Sequence, residues 1–112
     1  MPPTPSTFLN GVPELLVLRL LGDREMYGYE LVQAIREISA EQLTFAEGVI
    51  YPLLHTLERD GALSTRRQTI NGRSRVYYSV TPTGRERFDA LSAHWPALTG
   101  AIATILEAPR HA

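Results

Sequence analysis

The residues best equipped for chemistry in this 112-residue chain are arginines. Arg66, Arg67, Arg73 and Arg75 flank Asn71-Gly72, and Arg85 makes a fifth cation between Gly61 and Arg85 with no acid among them. That segment carries +5 and the rest of the chain −6, which together give the net charge of −1. A guanidinium stays charged at any physiological pH and presents a planar fork of donors, a shape that suits phosphate oxygens and the O6/N7 edge of guanine. Electrostatic attraction is screened beyond about 8–10 Å at ordinary salt, so a local patch suffices for phosphate contact even in a protein that is weakly acidic overall. Lysine is absent. A GC-rich genome explains that absence at least as well as a demand for forked contacts does.

Other chemistry finds few residues to carry it. There is no cysteine, which removes disulfides, thiolate metal sites and cysteine nucleophiles. His55, His94 and His111 are scattered without ligand-like spacing, and no nucleophile stands with a base and an acid in a plausible arrangement. No phosphate-binding glycine loop is present either. The chain is therefore expected to be no enzyme and to need no metal or cofactor.

The elements that must position the arginines are legible from periodicity. In the run from Gly48 to Gly61, Ile50, Leu53, Leu54 and Leu57 close into one apolar stripe at 100° per residue. Gly48, Pro52, His55 and Arg59 point the other way, with Tyr51 on the flank. Thr44-Phe45-Ala46-Glu47 fits a T-x-x-E capping box, which places the helix start there. Pro52 conflicts with a regular helix because it removes a hydrogen bond and crowds the carbonyl of Gly48, so the first turns are expected to be irregular. Glu58 and Asp60 make the C-terminal end poor for an anionic partner, which leaves reading to the N-terminal half.

Next come Leu63 to Ile70 and Arg73 to Val80 around Asn71-Gly72, a strong hairpin signal whose two-residue loop fixes the register. Arg66, Gln68 and Ile70 then share a face with Arg73, Arg75 and Tyr77, while Leu63 and Thr65 share the other with Tyr78 and Val80. Three arginines and an amide on one face repel one another unless they stand in open water or against an anion.

Ahead of this pair, Val12-Pro13-Glu14 starts a helix that is apolar nearly all round through Leu21, a pattern that asks for burial on two sides. Tyr27-Gly28-Tyr29-Glu30 opens a second helix with the stripe Leu31, Ala34, Ile35 and Ile38, and puts Tyr27 and Tyr29 at a helix N-terminus that welcomes phosphate. Packing with the hydroxyl at the surface accounts for the two tyrosines equally well. Behind the hairpin, Thr81-Pro82 caps a last helix. Its apolar residues Phe88, Leu91, Trp95, Leu98, Ile102 and Ile105 alternate spacings of three and four, as helices that pair do. Pro96 is expected to kink it.

Size allows one modest core, and 21% charged residues argue against disorder. Residues 1–9 read as a flexible proline-rich arm, 10–81 as one folded unit and 82–108 as a dimerisation helix. No leader pattern and no membrane-length apolar run is seen, so a soluble, cytoplasmic protein is expected. The fold class that follows is mainly α with a small β-hairpin: a winged helix-turn-helix plus a C-terminal helix.

From about Leu9 to Trp95 the chain resembles the PadR family of bacterial transcriptional regulators. The resemblance is carried by Glu14-Leu15-Leu16-Val17-Leu18-Arg19-Leu20-Leu21, Tyr27-Gly28-Tyr29-Glu30-Leu31, the run Gly48 to Gly61, and Gly72-Arg73-Ser74-Arg75-Val76-Tyr77-Tyr78 through Gly84. The family usually has threonine or serine where Val49 stands and proline or glycine near Ser74, so its target sequence does not carry over. The single C-terminal helix is similar to that of the family's compact branch. The resemblance implies a homodimeric repressor on a palindromic operator in double-stranded DNA, released by a small aromatic effector. Expected DNA contacts are Tyr27, Tyr29, Gly48, Val49, Tyr51, Pro52, His55, Arg66, Gln68, Arg73 and Arg75. Expected dimer contacts are Leu15, Leu18, Phe88, Leu91, Trp95, Leu98, Ile102 and Ile105, with Trp95, the only tryptophan, also facing an effector. A winged-helix module for protein or RNA, without an operator, is the alternative the same residues allow.

Overall fold

The computed structural model describes residues 11–111; the arm expected over residues 1–9 lies outside them. In chain order the elements are α1 (Val12–Leu21), β1 (Met26–Tyr27), α2 (Gly28–Ile38), α3 (Glu47–Arg59), β2 (Leu63–Ile70), β3 (Arg73–Val80) and α4 (Pro82–Glu107). The three strands form an antiparallel sheet in the order β1-β3-β2. Helices α1, α2 and α3 supply Val17, Leu18, Leu21, Leu31, Ile35, Ile50, Leu54 and Leu57 to one core, closed at the sheet by Met26, Leu63 and Tyr78. This is the winged helix-turn-helix arrangement followed by a long C-terminal helix.

The hairpin has the register that its turn dictates. Asn71 and Gly72 both have positive φ, +50° and +77°, which is the backbone of the tight hairpin turn whose twist matches the strands. Leu63 pairs with Val80, Arg66 with Tyr77 and Gln68 with Arg75, so the two faces divide as the alternation requires. The sequence reading has no counterpart of β1. Its two residues, opposite Tyr78 and Tyr77, are too short to leave a periodic trace.

Helix α3 begins later than the capping-box reading places it. Its N-cap is Ala46, with no side-chain cap, and Glu47 is the first helical residue. The amides of Val49 and Ile50 both donate to the Ala46 carbonyl, at 2.9 and 3.2 Å, so the first turn is tightened while the helix runs through Pro52 to Arg59. Its C-terminus closes with Gly61 at φ +79°: Gly61 N donates to Glu58 O at 3.0 Å and Ala62 N to Leu57 O at 2.9 Å, a Schellman end.

Helix α4 starts on that same turn. The Thr81 hydroxyl accepts from Gly84 N at 3.1 Å and donates to Gly61 O at 2.6 Å, while Thr81 N donates to Ala62 O at 3.1 Å. Gly84 is buried there, and a Cβ on it would fall 2.1 Å from Ala62 O. Arg87, one turn on, pairs with Glu14 of α1 at 2.6 Å and with Asp60 at the end of α3 at 3.3 Å. The start of α4 is thus tied to the first helix, to the third and to the base of the wing.

Gly84→Ala is expected to cost about 2–3 kcal/mol, because backbone rather than a yielding side chain blocks the new methyl. Gly100→Ala in the same helix meets nothing within 4 Å and should be neutral or stabilising by up to roughly 1 kcal/mol. Thermal melts of the two variants check this: melting at the same temperature would show that the contact at Ala62 carries no such constraint.

Candidate nucleic-acid interface

The buried stripe of α3 leaves its opposite face in solvent. Ile50, Leu54 and Leu57 are fully buried, whereas Gly48, Val49, Pro52 and His55 are exposed. A Cβ added at Gly48 would meet nothing within 4 Å, so the first turn is open to an incoming groove. Tyr51 sits on the flank, half-buried, with its ring against the start of α2. A Cβ on Gly28 would lie 2.5 Å from Tyr51 Cε1, so the close approach of α2 and α3 here requires glycine. Burial first, then the Glu47 carboxylate and Tyr27, raise the Tyr51 hydroxyl above the ordinary phenol value. It stays a neutral donor and acceptor.

The exposed face of the wing is built differently from an open cluster of cations. Arg66 is not free for a phosphate: its Nε lies 2.9 Å from each carboxylate oxygen of Glu25, its Nη2 also contacts that carboxylate, and its Nη1 donates to Gln68 at 2.8 Å. The acid comes from 41 positions away, just before β1, where counting charges along residues 61–85 does not reach. Hydrogen bonds from Arg66 hold the Glu25 carboxyl below its usual range. The Arg66–Glu25 contribution is therefore complete above the normal carboxylate range and is lost only as pH falls through that lowered value.

Aromatic rings organise the same face. The Arg66 guanidinium stands 4.6 Å over Tyr77, and Arg75 stands 4.6 Å over Tyr27. Tyr27 and Tyr77 meet edge to face at 5.5 Å. Tyr27 is therefore a half-buried platform for Arg75 rather than a side chain held out at a helix end. The N-terminus of α2 already has an acid, since Glu30 accepts from Tyr27 N at 3.2 Å and pairs with Arg24 at 3.4 Å, so it is less welcoming to phosphate than sequence alone implies.

Four of the residues expected to touch DNA converge. Tyr27, Tyr51, His55 and Arg75 line one open cleft of about 280 Å³ between the start of α2, the outer face of α3 and β3, together with Gly28, Ser74, Val76 and Tyr78. Phenol and hydroxyl groups, an imidazole and a stacked guanidinium face this space, a set able to hold an anionic sugar–phosphate strand beside a groove-facing helix. Arg67 and Arg73 are exposed on the wing and make no ion pair among the described residues. Tyr29 is exposed and does not line the cleft. Gln68 is occupied with Arg66.

The residues expected at a dimer contact separate into two groups. Leu18 is 1% exposed and belongs to the core of its own chain, which leaves no surface for a partner. Leu98 is likewise 7% exposed. Leu15, Phe88 and Leu91 are half-buried, the latter two against the core. Trp95 is 41% exposed, Ile102 is exposed, and Ile105 and Leu106 are more than 70% exposed at the far end of α4. Among the described residues no group of acids and histidines is arranged to hold a metal, and no helix is long and apolar enough to cross a membrane.

Comparison with known proteins agrees with this geometry. Residues 17–90 match the family described as transcriptional regulator PadR-like. A transcriptional regulator of Mycobacterium tuberculosis is 36% identical over 78 residues, 70% of each chain. The crystal structure of a Streptococcus transcriptional regulator is 35% identical, with a TM-score of 0.72 over 88% of this chain and 96% of that one. A PadR family transcriptional regulator from Eggerthella lenta is 25% identical, with a TM-score of 0.78 over 93% of this chain and 88% of its own. With the matched region running from the first helix through the wing into α4, the chain belongs to the PadR-like family of transcriptional regulators.

Proposed function

We propose that this regulator is a homodimeric repressor that grips a palindromic operator through α3 and the wing and is released by a small planar aromatic molecule. The observation that carries the DNA-binding part is the shared cleft. Tyr51 and His55 from α3 and Arg75 from the wing face the same space, beside the exposed start of a helix that fits a major groove. Arg73 and Arg75 serve as backbone contacts, and the N-terminal half of α3 with Tyr51 reads base edges. The repressor role is carried over from the family resemblance.

The dimer rests on α4. Beyond Leu98 every residue to Glu107 is exposed, and the large apolar ones, Ile102, Ile105 and Leu106, lie on a stretch of helix that no other element among the described residues covers. Apolar surface of that kind calls for a partner, and a second α4 supplies a matching one. Trp95, 41% exposed, lies one turn before Leu98, the last buried residue of the helix, and Pro96 follows it within an unbroken helix. Two such indoles across a seam would hold a flat aromatic ring by stacking.

Replacing Arg73 or Arg75 by alanine is expected to weaken binding to all DNA sequences alike and to shrink the slope of log affinity against log salt by about 0.9 per arginine. Tyr51→Ala should instead lower the ratio of operator to random-sequence affinity, by about 1 kcal/mol if one hydrogen bond is lost. A salt titration of both duplexes with all three variants separates these effects. Unchanged slopes in both arginine variants would remove the wing from the interface, and equal affinity of the wild type for every sequence would favour a winged helix without an operator.

Ile105→Asp should abolish dimerisation while leaving the monomer folded, since that side chain makes little use of its own chain. Mass measurement in solution beside circular dichroism checks it, and a folded wild-type monomer at micromolar concentration would rule the dimer out.

For the effector, titration with planar aromatics should quench the single tryptophan saturably and loosen operator binding in the wild type but not in Trp95→Ala. Quenching with no change in operator affinity would leave Trp95 without a regulatory role.

A further inference from the structure

Glu25 brings a negative charge onto the basic face of the wing. It precedes β1, an outer strand of the sheet, while Arg66 lies on β2, the other outer strand. Their ion pair therefore passes over the central strand at Tyr77, against whose ring the guanidinium is stacked at 4.6 Å. Nε of Arg66 lies 2.9 Å from both carboxylate oxygens, Nη2 also contacts the carboxylate, and Nη1 is taken by Gln68 at 2.8 Å. All three guanidinium nitrogens are engaged. Two oxygens facing the fork are also what a phosphate would present to it.

An exposed ion pair is ordinarily weak because two long side chains must be held in one geometry. Here the ring beneath the guanidinium and the amide beside it already hold Arg66 in place. A phosphate arriving at Arg66 would also have to stand beside the displaced Glu25 carboxylate, charge against like charge. By contrast Arg67 and Arg73 make no ion pair among the described residues, and Arg75 is stacked on Tyr27 without a carboxylate.

We propose that Glu25 stands in for phosphate on Arg66, withdraws that cation from the DNA backbone and so holds the sequence-independent part of the affinity, and its salt dependence, below what the arginines of the wing would otherwise give. The inference rests on the DNA-binding reading above. Each phosphate neutralised adds the same factor to the affinity for every sequence, whereas selectivity comes from base contacts such as those proposed for α3. Removing one cation from the count therefore lowers the affinity for random and for selected DNA by the same factor and leaves their ratio unchanged.

The test is Glu25→Gln, which keeps the size of the side chain and removes its charge. Binding is measured across a salt series to a random-sequence duplex and to the duplex that the wild type selects from a random pool. The variant should bind both duplexes roughly five to ten times more tightly near 0.1 M salt, with slopes steeper by about 0.9, and its ratio of selected to random affinity should stay at the wild-type value. Arg66→Ala alone should leave the slope at the wild-type value, because that cation is already withdrawn, and adding Arg66→Ala to Glu25→Gln should restore the wild-type slope. Thermal melting confirms that the variants fold. A wild type that binds DNA with ordinary salt dependence, together with an unchanged slope in Glu25→Gln or a reduced one in Arg66→Ala, overturns the inference and leaves the DNA-binding reading standing. A wild type without salt-dependent DNA binding overturns both.

Discussion

The structure depends on the seating of one helix face. Ile50, Leu54 and Leu57 of α3 are fully buried against α1, α2 and the sheet, and each contributes roughly 1.5–3 kcal/mol by leaving water. Because a helix turns through a fixed angle per residue, burying that stripe decides which residues remain outside. Gly48, Val49, Pro52 and His55 are exposed for that reason, and no local preference of their own is needed to present them. The flank is held just as firmly: Tyr51 lies where it does because Gly28 has no side chain to displace it.

The wing poses the opposite problem, since a two-stranded ribbon has little core of its own and is marginal in water. Only its base is buried, at Leu63 and Tyr78. Farther out, order comes from contacts across the sheet on the solvent side: the short strand β1, the edge-to-face tyrosines, two stacked guanidinium groups and the Glu25–Arg66 pair. These contacts tie the wing to the start of α2 and so hold its arginines in place relative to α3. Charge on this face is therefore partly engaged in holding the wing in place.

Much of this could be read from residue order. The hairpin and its register follow from Asn71-Gly72, the α4 cap from Thr81-Pro82, and the core face of α3 from the spacing of Ile50, Leu54 and Leu57. Periodicity and turn chemistry are local, and each of these features is local. What escaped was either too short or too distant in sequence. β1 has only two residues, and Glu25 meets Arg66 across 41 positions. The capping-box reading of Thr44 was undone because the chain from Ser39 to Ala46 stays outside the helix, with Ala40 and Glu41 at positive φ, and Ala46 takes the cap position. An all-apolar helix signals burial on every side without saying by what, so residue order points Leu18 toward a partner. Its own core covers it.

The turn at Gly61–Ala62 limits which lengths of chain can change. There α3 ends, β2 begins and α4 begins, joined by backbone hydrogen bonds and by the missing side chain of Gly84. One residue inserted between Thr81 and Gly84 would rotate everything after it by about 100° about the helix axis, carrying Phe88 and Leu91 off the core and separating Arg87 from Glu14 and Asp60. Beyond Leu98 the same insertion would alter only exposed helix. Variation in length is thus confined by the joint to the far end of α4, where it can change what that helix meets while the angle between the third helix and the wing stays as it is.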